Sequence, residues 1–112
     1  MSPATARLGE LETLVMLAVL HLGEGAHAVA VRAHIGDRTG RELSRGTVYV
    51  TLDRLEHKGL LVSRLGEPTA ERGGKAKRLY RVDKPGLAAL TESLSGTQSM
   101  LDGLASRLRL PR

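Results

Sequence analysis

The sequence predicts a mainly α-helical domain with one small β-hairpin, an α+β fold of 112 residues. Three apolar helical stripes precede position 60, and each is followed by a glycine, a residue that commonly ends helices. Two short strand patterns then flank a glycine-rich basic segment, which is typical of a hairpin. A leucine-rich helical pattern follows. The chain has no Phe, Trp or Cys, so we expect an aliphatic core and no disulfide or thiolate metal site.

The net charge and the lack of cysteine limit the choice of partner and compartment. The formal charge is +5 and the sequence pI is about 10.2, which favours an anionic partner, although a protein can be basic without such a role. The lack of cysteine suits the reducing cytoplasm, where we expect the protein to act. The first residues lack the apolar core of a signal peptide. The longest apolar run, Leu14–Leu20, is far shorter than the ~20 residues that cross a bilayer, so no membrane partner is expected.

Helix one, predicted over residues 8–22, is apolar on more than one side. One stripe consists of Leu8, Leu11, Val15, Ala18 and Leu22, and the other side carries Leu14, Met16, Leu17 and Leu20. Because a surface helix needs only one apolar face, we expect burial on two sides, in the core or against a second subunit. Gly23-Glu24-Gly25 ends the helix. Residues 1–7 form a polar lead that we expect to be disordered.

Helix two is predicted over residues 27–38, with Val31 and Ile35 one turn apart on its inward face. Thr39-Gly40 ends it. His27 and His34 lie two turns apart, with Asp37 nearby. Two histidines at that spacing are too distant to share one ion without a third element between them. We therefore interpret them as surface residues and predict no metal site and no cofactor.

Helix three begins after Ser44, a good N-cap because its hydroxyl can accept from free backbone N–H groups in the first turn. Val48, Leu52 and Leu55 form its buried stripe, at spacings of four and three residues. Gly59 is suited to the position just after the helix, where a left-handed backbone is common. The outward face of this helix carries Thr47, Val50 and Arg54.

The two predicted strands cover residues 60–65 and 78–82, and Gly73-Gly74 marks the hairpin tip. From position 69 to 84 there are six cationic and two acidic residues, a net of four positive charges. Tyr80 follows Leu79 on the return strand, so one of these side chains points inward, and we expect Tyr80 to pack at least partly.

A last helix follows, with Asp83 as a candidate cap and Pro85 in the first turn, where proline is tolerated. Its leucines recur at the a and d positions of a heptad, with one polar interruption at Thr97: Leu87, Leu90, Leu94, Leu101, Leu104 and Leu108. The stripe is longer than one small domain can cover, which favours a dimer seam over packing on its own domain. The predicted division is a domain over 8–83 and a dimerisation helix with tail over 84–112.

A capped helix followed by a basic hairpin is the arrangement of the winged helix-turn-helix that binds DNA. Short side chains near the start of helix three would let its backbone approach base edges, and the arginines can reach guanine or phosphate. Tyr49 would pack its ring and bring its hydroxyl towards DNA. The candidate recognition residues are Ser44, Arg45, Thr47, Tyr49, Val50 and Arg54. The alternative is a solvated polar helix face.

The basic hairpin would follow the phosphate backbone or enter the minor groove, which gives affinity rather than sequence information. Its candidate contacts are Arg72, Lys75, Lys77 and Arg78. The alternative is an edge hairpin kept soluble by lysine.

Two rival functions remain at this point. One is a winged-helix protein-interaction module without DNA binding, and the other is a small hydrolase or nuclease that uses the histidines. We expect no enzyme, because no nucleophile–base pair or phosphate-cradling glycine loop is recognisable.

The chain resembles the PadR family of transcriptional regulators over residues 8–108. The matching stretches are LGELETLVMLAVLHL in helix one, SRGTVYVTLDRLEHKGLL across helix three, and KAKRLYRV with PGLAAL after the hairpin. The resemblance implies a winged-helix domain, operator DNA as partner and repression of a nearby promoter. It also implies homodimerisation through the C-terminal helix with help from helix one, where Leu14 and Leu17 are candidate contacts. Some members respond to small molecules, so an effector of unknown identity is allowed.

The chain departs from the family pattern in three places. Ala28, Val29 and Ala30 stand where members commonly have a Gly-Tyr pair followed by an acidic residue, so a phosphate contact from that tyrosine is absent. Asp83-Lys84 replaces a Thr-Pro before the last helix. Members that bind flat drugs between subunits use tryptophan, and this chain has none.

Overall fold

The structure, a computed structural model, describes residues 7–67 and 76–110. Three helices are followed by an antiparallel hairpin and a C-terminal helix, with short helical turns after the first and last long helices. Their bounds are α1 Glu10–Leu22, a 3₁₀ turn Gly23–Gly25, α2 Ala28–Thr39, α3 Arg45–His57, β1 Leu61–Leu65, β2 Arg78–Val82, α4 Lys84–Leu101 and α5 Ala105–Leu108. This confirms the predicted mainly helical fold with one hairpin. No helix in the described ranges is long and apolar enough to span a membrane.

The helix ends follow from local sequence. Ser44 caps α3, since its Oγ accepts from the Thr47 amide at 3.1 Å. Gly40 after α2 and Gly59 after α3 adopt φ values of 76° and 79°, a left-handed conformation that glycine enters without steric cost. The predicted cap and both glycine stops are confirmed. Asp83 occupies the N-cap position of α4, but its side chain makes no capping hydrogen bond.

The core lies where α1, α2 and α3 converge under the hairpin. The largest fully buried side chains come from α1, α2, α3 and the first strand: Val15, Met16, Val31, Val48, Leu52, Leu55 and Leu61. The predicted stripes of α2 and α3 are therefore confirmed as buried faces. Leu11, Leu14 and Leu17 pack partly buried against this core. α1 thus contacts its own subunit on more than one side, as its apolar pattern predicts.

The hairpin is tied to the helical body through its backbone. β1 and β2 pair antiparallel, with Leu61 opposite Val82 and Leu65 opposite Arg78. The Tyr80 amide donates to the Ala26 carbonyl at 2.8 Å, so the return strand also bonds to the link between α1 and α2. Tyr80 is buried, as predicted for its position in the strand. The predicted tip, Gly73-Gly74, lies outside the described residues.

α4 leaves the hairpin through a tight contact at its first turn. A Cβ on Gly86 would lie 2.2 Å from the Leu60 carbonyl oxygen and 3.0 Å from the Met16 side chain. Only a residue without a side chain lets the helix backbone approach β1 so closely. Gly86 therefore fixes where α4 starts relative to α1 and the hairpin.

The predicted continuous heptad over Leu87–Leu108 is wrong in its last third. α4 ends at Leu101, and the backbone turns through Asp102 and Gly103, whose φ is 84°. A left-handed residue breaks the i to i−4 hydrogen-bond pattern, so Leu104 and Leu108 do not continue the helical stripe. They belong to the separate turn of α5 and its cap.

Candidate nucleic-acid interface

The outward face of α3 is open to solvent along its length. Thr47, Val50 and Arg54 are all exposed, and Val50 keeps 55% of its surface accessible. On the opposite face Val48, Leu52 and Leu55 are buried. An exposed valine beside an exposed arginine gives this face both an apolar contact for a thymine methyl group and a donor for guanine. The exposure predicted for these three side chains is confirmed.

The first turn of α3 is held by side-chain hydrogen bonds. Ser44 Oγ accepts from the Thr47 amide and donates to Thr47 Oγ1 at 2.8 Å. Arg32 of α2 donates through Nε to the Leu43 carbonyl just before the turn. Ser44 is therefore occupied mainly in capping. Arg45 and Gly46 follow it, both exposed, at the end of the helix where a short residue permits close backbone approach.

A cleft of about 270 Å³ joins the start of α2, the middle of α3 and the start of β2. We call it the wing-base cleft. Its polar lining consists of His27, Tyr49, Lys77, Arg78 and Tyr80. Tyr49 is 49% exposed, so its side chain packs only in part. The cleft brings together one predicted recognition residue and two predicted hairpin cations.

Arg78 is oriented by a short polar chain. Its Nη1 donates to Ser63 Oγ at 3.0 Å, and Ser63 Oγ donates to Glu56 Oε2 at 2.6 Å. Ser63 and Arg78 lie on adjacent strands, whereas Glu56 belongs to α3. The chain therefore links the return strand to the helix that carries the exposed face. Arg72 and Lys75, the other two predicted hairpin contacts, lie outside the described residues.

Burial and the charges of two carboxylates affect the pKa of Tyr80. Desolvation raises the pKa of Tyr80 above 10.0, and the negative charges of Asp53 and Glu56 raise it further. The phenol therefore stays neutral at physiological pH. Its ring packs in the core and its edge closes one side of the wing-base cleft.

A partly buried ion pair fixes α3 against α1. Lys58 Nζ lies 2.7 Å from Glu12 Oε2, and Glu12 Oε1 accepts from the Gly9 amide at 3.0 Å. Burial acts to raise the pKa of Glu12, but the Lys58 and Gly9 hydrogen bonds and the charges of Lys58 and Arg54 outweigh it and lower the pKa. The carboxylate sits near the start of α1 and the ammonium just after α3, where the helix dipoles favour those charges.

The predicted dimer-contact residues differ in how far their own subunit buries them. Leu87 and Leu94 on α4 are exposed, at 45% and 40% of their surface. Leu90 is 3% exposed and belongs to the core of its own subunit, which leaves it little surface to offer a partner. Leu14 and Leu17 pack partly buried against the same core, and Leu101 is half-buried. The exposed apolar surface also includes Leu20 and Met100, which heptad spacing does not identify.

The prediction that His27 and His34 are surface residues is correct only in part, because both are half-buried. His34 contacts His21 of α1, with ring centroids 4.9 Å apart, and not His27. His27 precedes α2, and its Nδ1 donates to the Gly25 carbonyl at 3.0 Å. In the described ranges no three potential ligands cluster as a metal site. Sequence reasoning missed His27 as a lining residue of the cleft, because the approach of β2 to the start of α2 has no local sequence signal.

Three comparisons place the chain among known proteins. Residues 16–92 match the Transcriptional regulator PadR-like family. The Transcriptional regulator Rv3488 of Mycobacterium tuberculosis (strain ATCC 25618 / H37Rv) is 49% identical over 55 residues, which cover 49% of this chain. The aligned part is 48% of that relative, so the match spans about half of its length.

Solved structures agree with this assignment. A PadR family transcriptional regulator from Eggerthella lenta DSM 2243 is similar with a TM-score of 0.66 and 32% identity, over 91% of this chain and 88% of that one. A PadR family transcription regulator from hypervirulent Clostridium difficile R20291 has a TM-score of 0.72 over 89% of this chain and 99% of that one, and its 20% identity shows the fold alone. The family match covers more than half of the sequence, and the chain belongs to the PadR-like family of transcriptional regulators.

Proposed function

We propose that this protein is a cytoplasmic homodimeric repressor that binds a pseudo-palindromic operator with one α3 in each of two successive major grooves. The observation that carries the proposal is the outward face of α3, where Thr47, Val50 and Arg54 are exposed on a helix whose other face is buried. A helix held in this way can enter a groove as a rigid body. The family's role in transcription supports the same function.

The basic hairpin supplies the second part of the contact. Lys77 and Arg78 lie beside Tyr49 at the wing-base cleft, so the cations that would meet phosphate are adjacent to the helix that would meet bases. In this arrangement the hairpin contributes sequence-independent affinity, whereas Thr47, Val50 and Arg54 select the sequence. Arg72 and Lys75 extend the same basic segment in the sequence.

The dimer is supported by apolar surface that its own subunit leaves uncovered. Leu87, Leu94 and Met100 are exposed on α4, and Leu20 is exposed near the end of α1. Leu87 and Leu94 lie seven residues apart on one face of α4, and exposed apolar surface on a small protein is typical of an interaction site. The buried surface of two α4 helices would then set the separation of the two α3 helices, and residues 84–112 would act as the dimerisation segment.

The test is a titration of the full-length protein against labelled duplexes from the DNA upstream of its own gene, with a random-sequence duplex of the same length as reference. We expect the upstream DNA to bind more tightly than the reference by a factor of about 10³ or more. The logarithm of the binding constant should fall linearly with the logarithm of salt concentration. A protein that binds neither duplex, but forms a stable dimer, would instead fit the winged-helix interaction module.

A reporter-gene assay distinguishes a repressor from an activator. A reporter gene placed behind the bound upstream fragment should be transcribed less when the protein is present. Loss of that effect in Arg54→Ala, with an unchanged circular dichroism spectrum, would attribute repression to the reading face. Higher transcription in the presence of the wild-type protein would contradict the repressor assignment.

A further inference from the structure

We propose that the wing-base cleft receives one phosphate of the DNA backbone and that His27 donates to that phosphate only when its imidazole is protonated. The inference rests on the proposed DNA binding and adds a pH dependence to it. The cleft measures about 270 Å³ and lies where α2, α3 and β2 meet. That is more room than a phosphate needs once its first-shell water is displaced.

The chemistry of the lining suits an anion. Lys77 and Arg78 contribute two cations, and Tyr49 and Tyr80 complete the polar lining. None of the described residues that line the cleft is acidic. The carboxylates whose charges raise the pKa of Tyr80 belong to Asp53 and Glu56, and Glu56 is bonded to Ser63. Charge-assisted hydrogen bonds from cationic donors to phosphate are among the strongest in proteins.

The hydrogen bond made by Nδ1 of His27 determines what its second ring nitrogen, Nε2, can do. A carbonyl oxygen can only accept, so the 3.0 Å contact from His27 Nδ1 to the Gly25 carbonyl requires a proton on Nδ1. In the neutral ring Nε2 then carries a lone pair, which repels a phosphate oxygen. In the protonated ring Nε2–H donates while Nδ1 keeps its bond to Gly25. The carbonyl of Gly25 therefore makes phosphate binding depend on a proton.

Charged and titratable groups lie on each of the elements next to His27. Glu24 lies exposed in the same link, Tyr49 and Asp53 lie on α3, and Lys77, Arg78 and Tyr80 lie on the return side of the hairpin. A bound phosphate places a negative charge beside the ring and favours the imidazolium. DNA binding is then accompanied by proton uptake, and affinity rises as the pH falls through the range in which imidazoles ordinarily titrate, about pH 5 to 8.

The test compares wild type with His27→Gln and His27→Lys across that pH range at constant salt, with a random-sequence duplex as probe because phosphate contacts are independent of sequence. Wild-type affinity should rise by up to about tenfold per pH unit for each cleft that takes up a proton. Both variants should give a markedly flatter profile, with His27→Lys the tighter binder at high pH. His57→Gln, which changes an exposed histidine at the end of α3, should keep the wild-type profile.

A second measurement does not depend on the variants being folded. Nitrogen-15 resonances of the wild-type imidazole report which nitrogen carries the proton. We expect the Nδ1–H tautomer in the free protein at high pH, and a protonated His27 once the duplex is added. Inorganic phosphate at matched ionic strength should leave the resonance nearly unmoved. An equal response to inorganic phosphate would overturn the assignment to the DNA backbone.

The outcomes separate this inference from the function on which it rests. Absence of binding to any duplex at any pH would refute both. DNA binding with the normal salt dependence, but with the same pH profile in wild type and His27→Gln, would refute the role of His27 alone.

Discussion

α3 and α4 both carry a stripe of leucines, but the two stripes have different neighbours. In α3, Leu52 and Leu55 are fully buried in the core of the same chain. In α4, Ala89 and Leu90 are buried, whereas Leu87 and Leu94 remain exposed. A helix whose apolar face is satisfied within its subunit can expose a polar face for recognition. A helix whose apolar face is exposed needs another molecule, and in our proposal that molecule is a second copy.

The largest expected effect is the loss of folding stability when a leucine of the α3 stripe, rather than one of the α4 stripe, is replaced by alanine. Leu52→Ala removes a fully buried side chain and should lower the free energy of unfolding by about 2–5 kcal/mol, since a cavity forms among close-packed neighbours. Leu94→Ala is the matched change on α4. Urea unfolding at low protein concentration should show a loss of less than about 1 kcal/mol for Leu94→Ala. Equal losses for the two variants would mean that α4 is covered by its own subunit.

The same comparison can be made at the level of assembly. Leu94→Glu places a charge on the exposed stripe and should shift the dimer towards monomer by at least about tenfold in dissociation constant, or about 1.4 kcal/mol. Ser99→Glu, which places the same charge on another exposed face of α4, is the control and should leave assembly unchanged. Sedimentation across a concentration series gives both constants. A wild-type protein that remains monomeric throughout would remove the basis of the comparison.

The exposed face of α3 and the base of the hairpin should differ in the kind of affinity that they supply. Arg54→Ala should weaken operator binding by about 1–3 kcal/mol and relax sequence preference, because a contact to a base edge is lost. Lys77→Ala should weaken all duplexes alike and reduce the salt slope by about one. Fluorescence anisotropy at several salt concentrations measures both effects. If neither substitution changes affinity, the assignment of contacts to α3 and the hairpin is wrong.

A smaller effect concerns how α3 is anchored. The folded-state pKa of Glu12 lies below its ordinary value of 4.5, so the stabilisation from its pair with Lys58 is complete above pH 4.5 and is lost as the pH falls through the lower folded-state value. Glu12→Gln should cost about 1–2 kcal/mol at neutral pH and reduce the acid sensitivity of unfolding. Glu10→Gln, on an exposed pair with Arg41, is the matched control. Similar acid sensitivity in wild type and Glu12→Gln would contradict this account.

Local sequence signals predict most of the fold and only part of the site. The Ser44 cap, the stops at Gly40 and Gly59, and the buried stripe of α3 each depend on neighbouring residues, and the structure confirms them. The end of α4 was predicted too late, because leucine spacing persists through Asp102-Gly103 although the backbone does not continue as a helix. The wing-base cleft and the Glu12–Lys58 pair join segments distant in sequence, so no local pattern predicts them.

Gly86 has a consequence for the DNA site, although it contacts neither DNA nor a partner in our proposal. Its missing side chain lets α4 press against the Leu60 carbonyl, which makes this point the pivot of the long helix. Eighteen residues of helix extend about 27 Å, so a tilt of about 5° at the pivot moves the far end by about 2 Å. In a symmetric dimer that displacement is doubled. A methyl group at position 86 would therefore change the preferred length of the spacer between half-sites while every base contact stays intact.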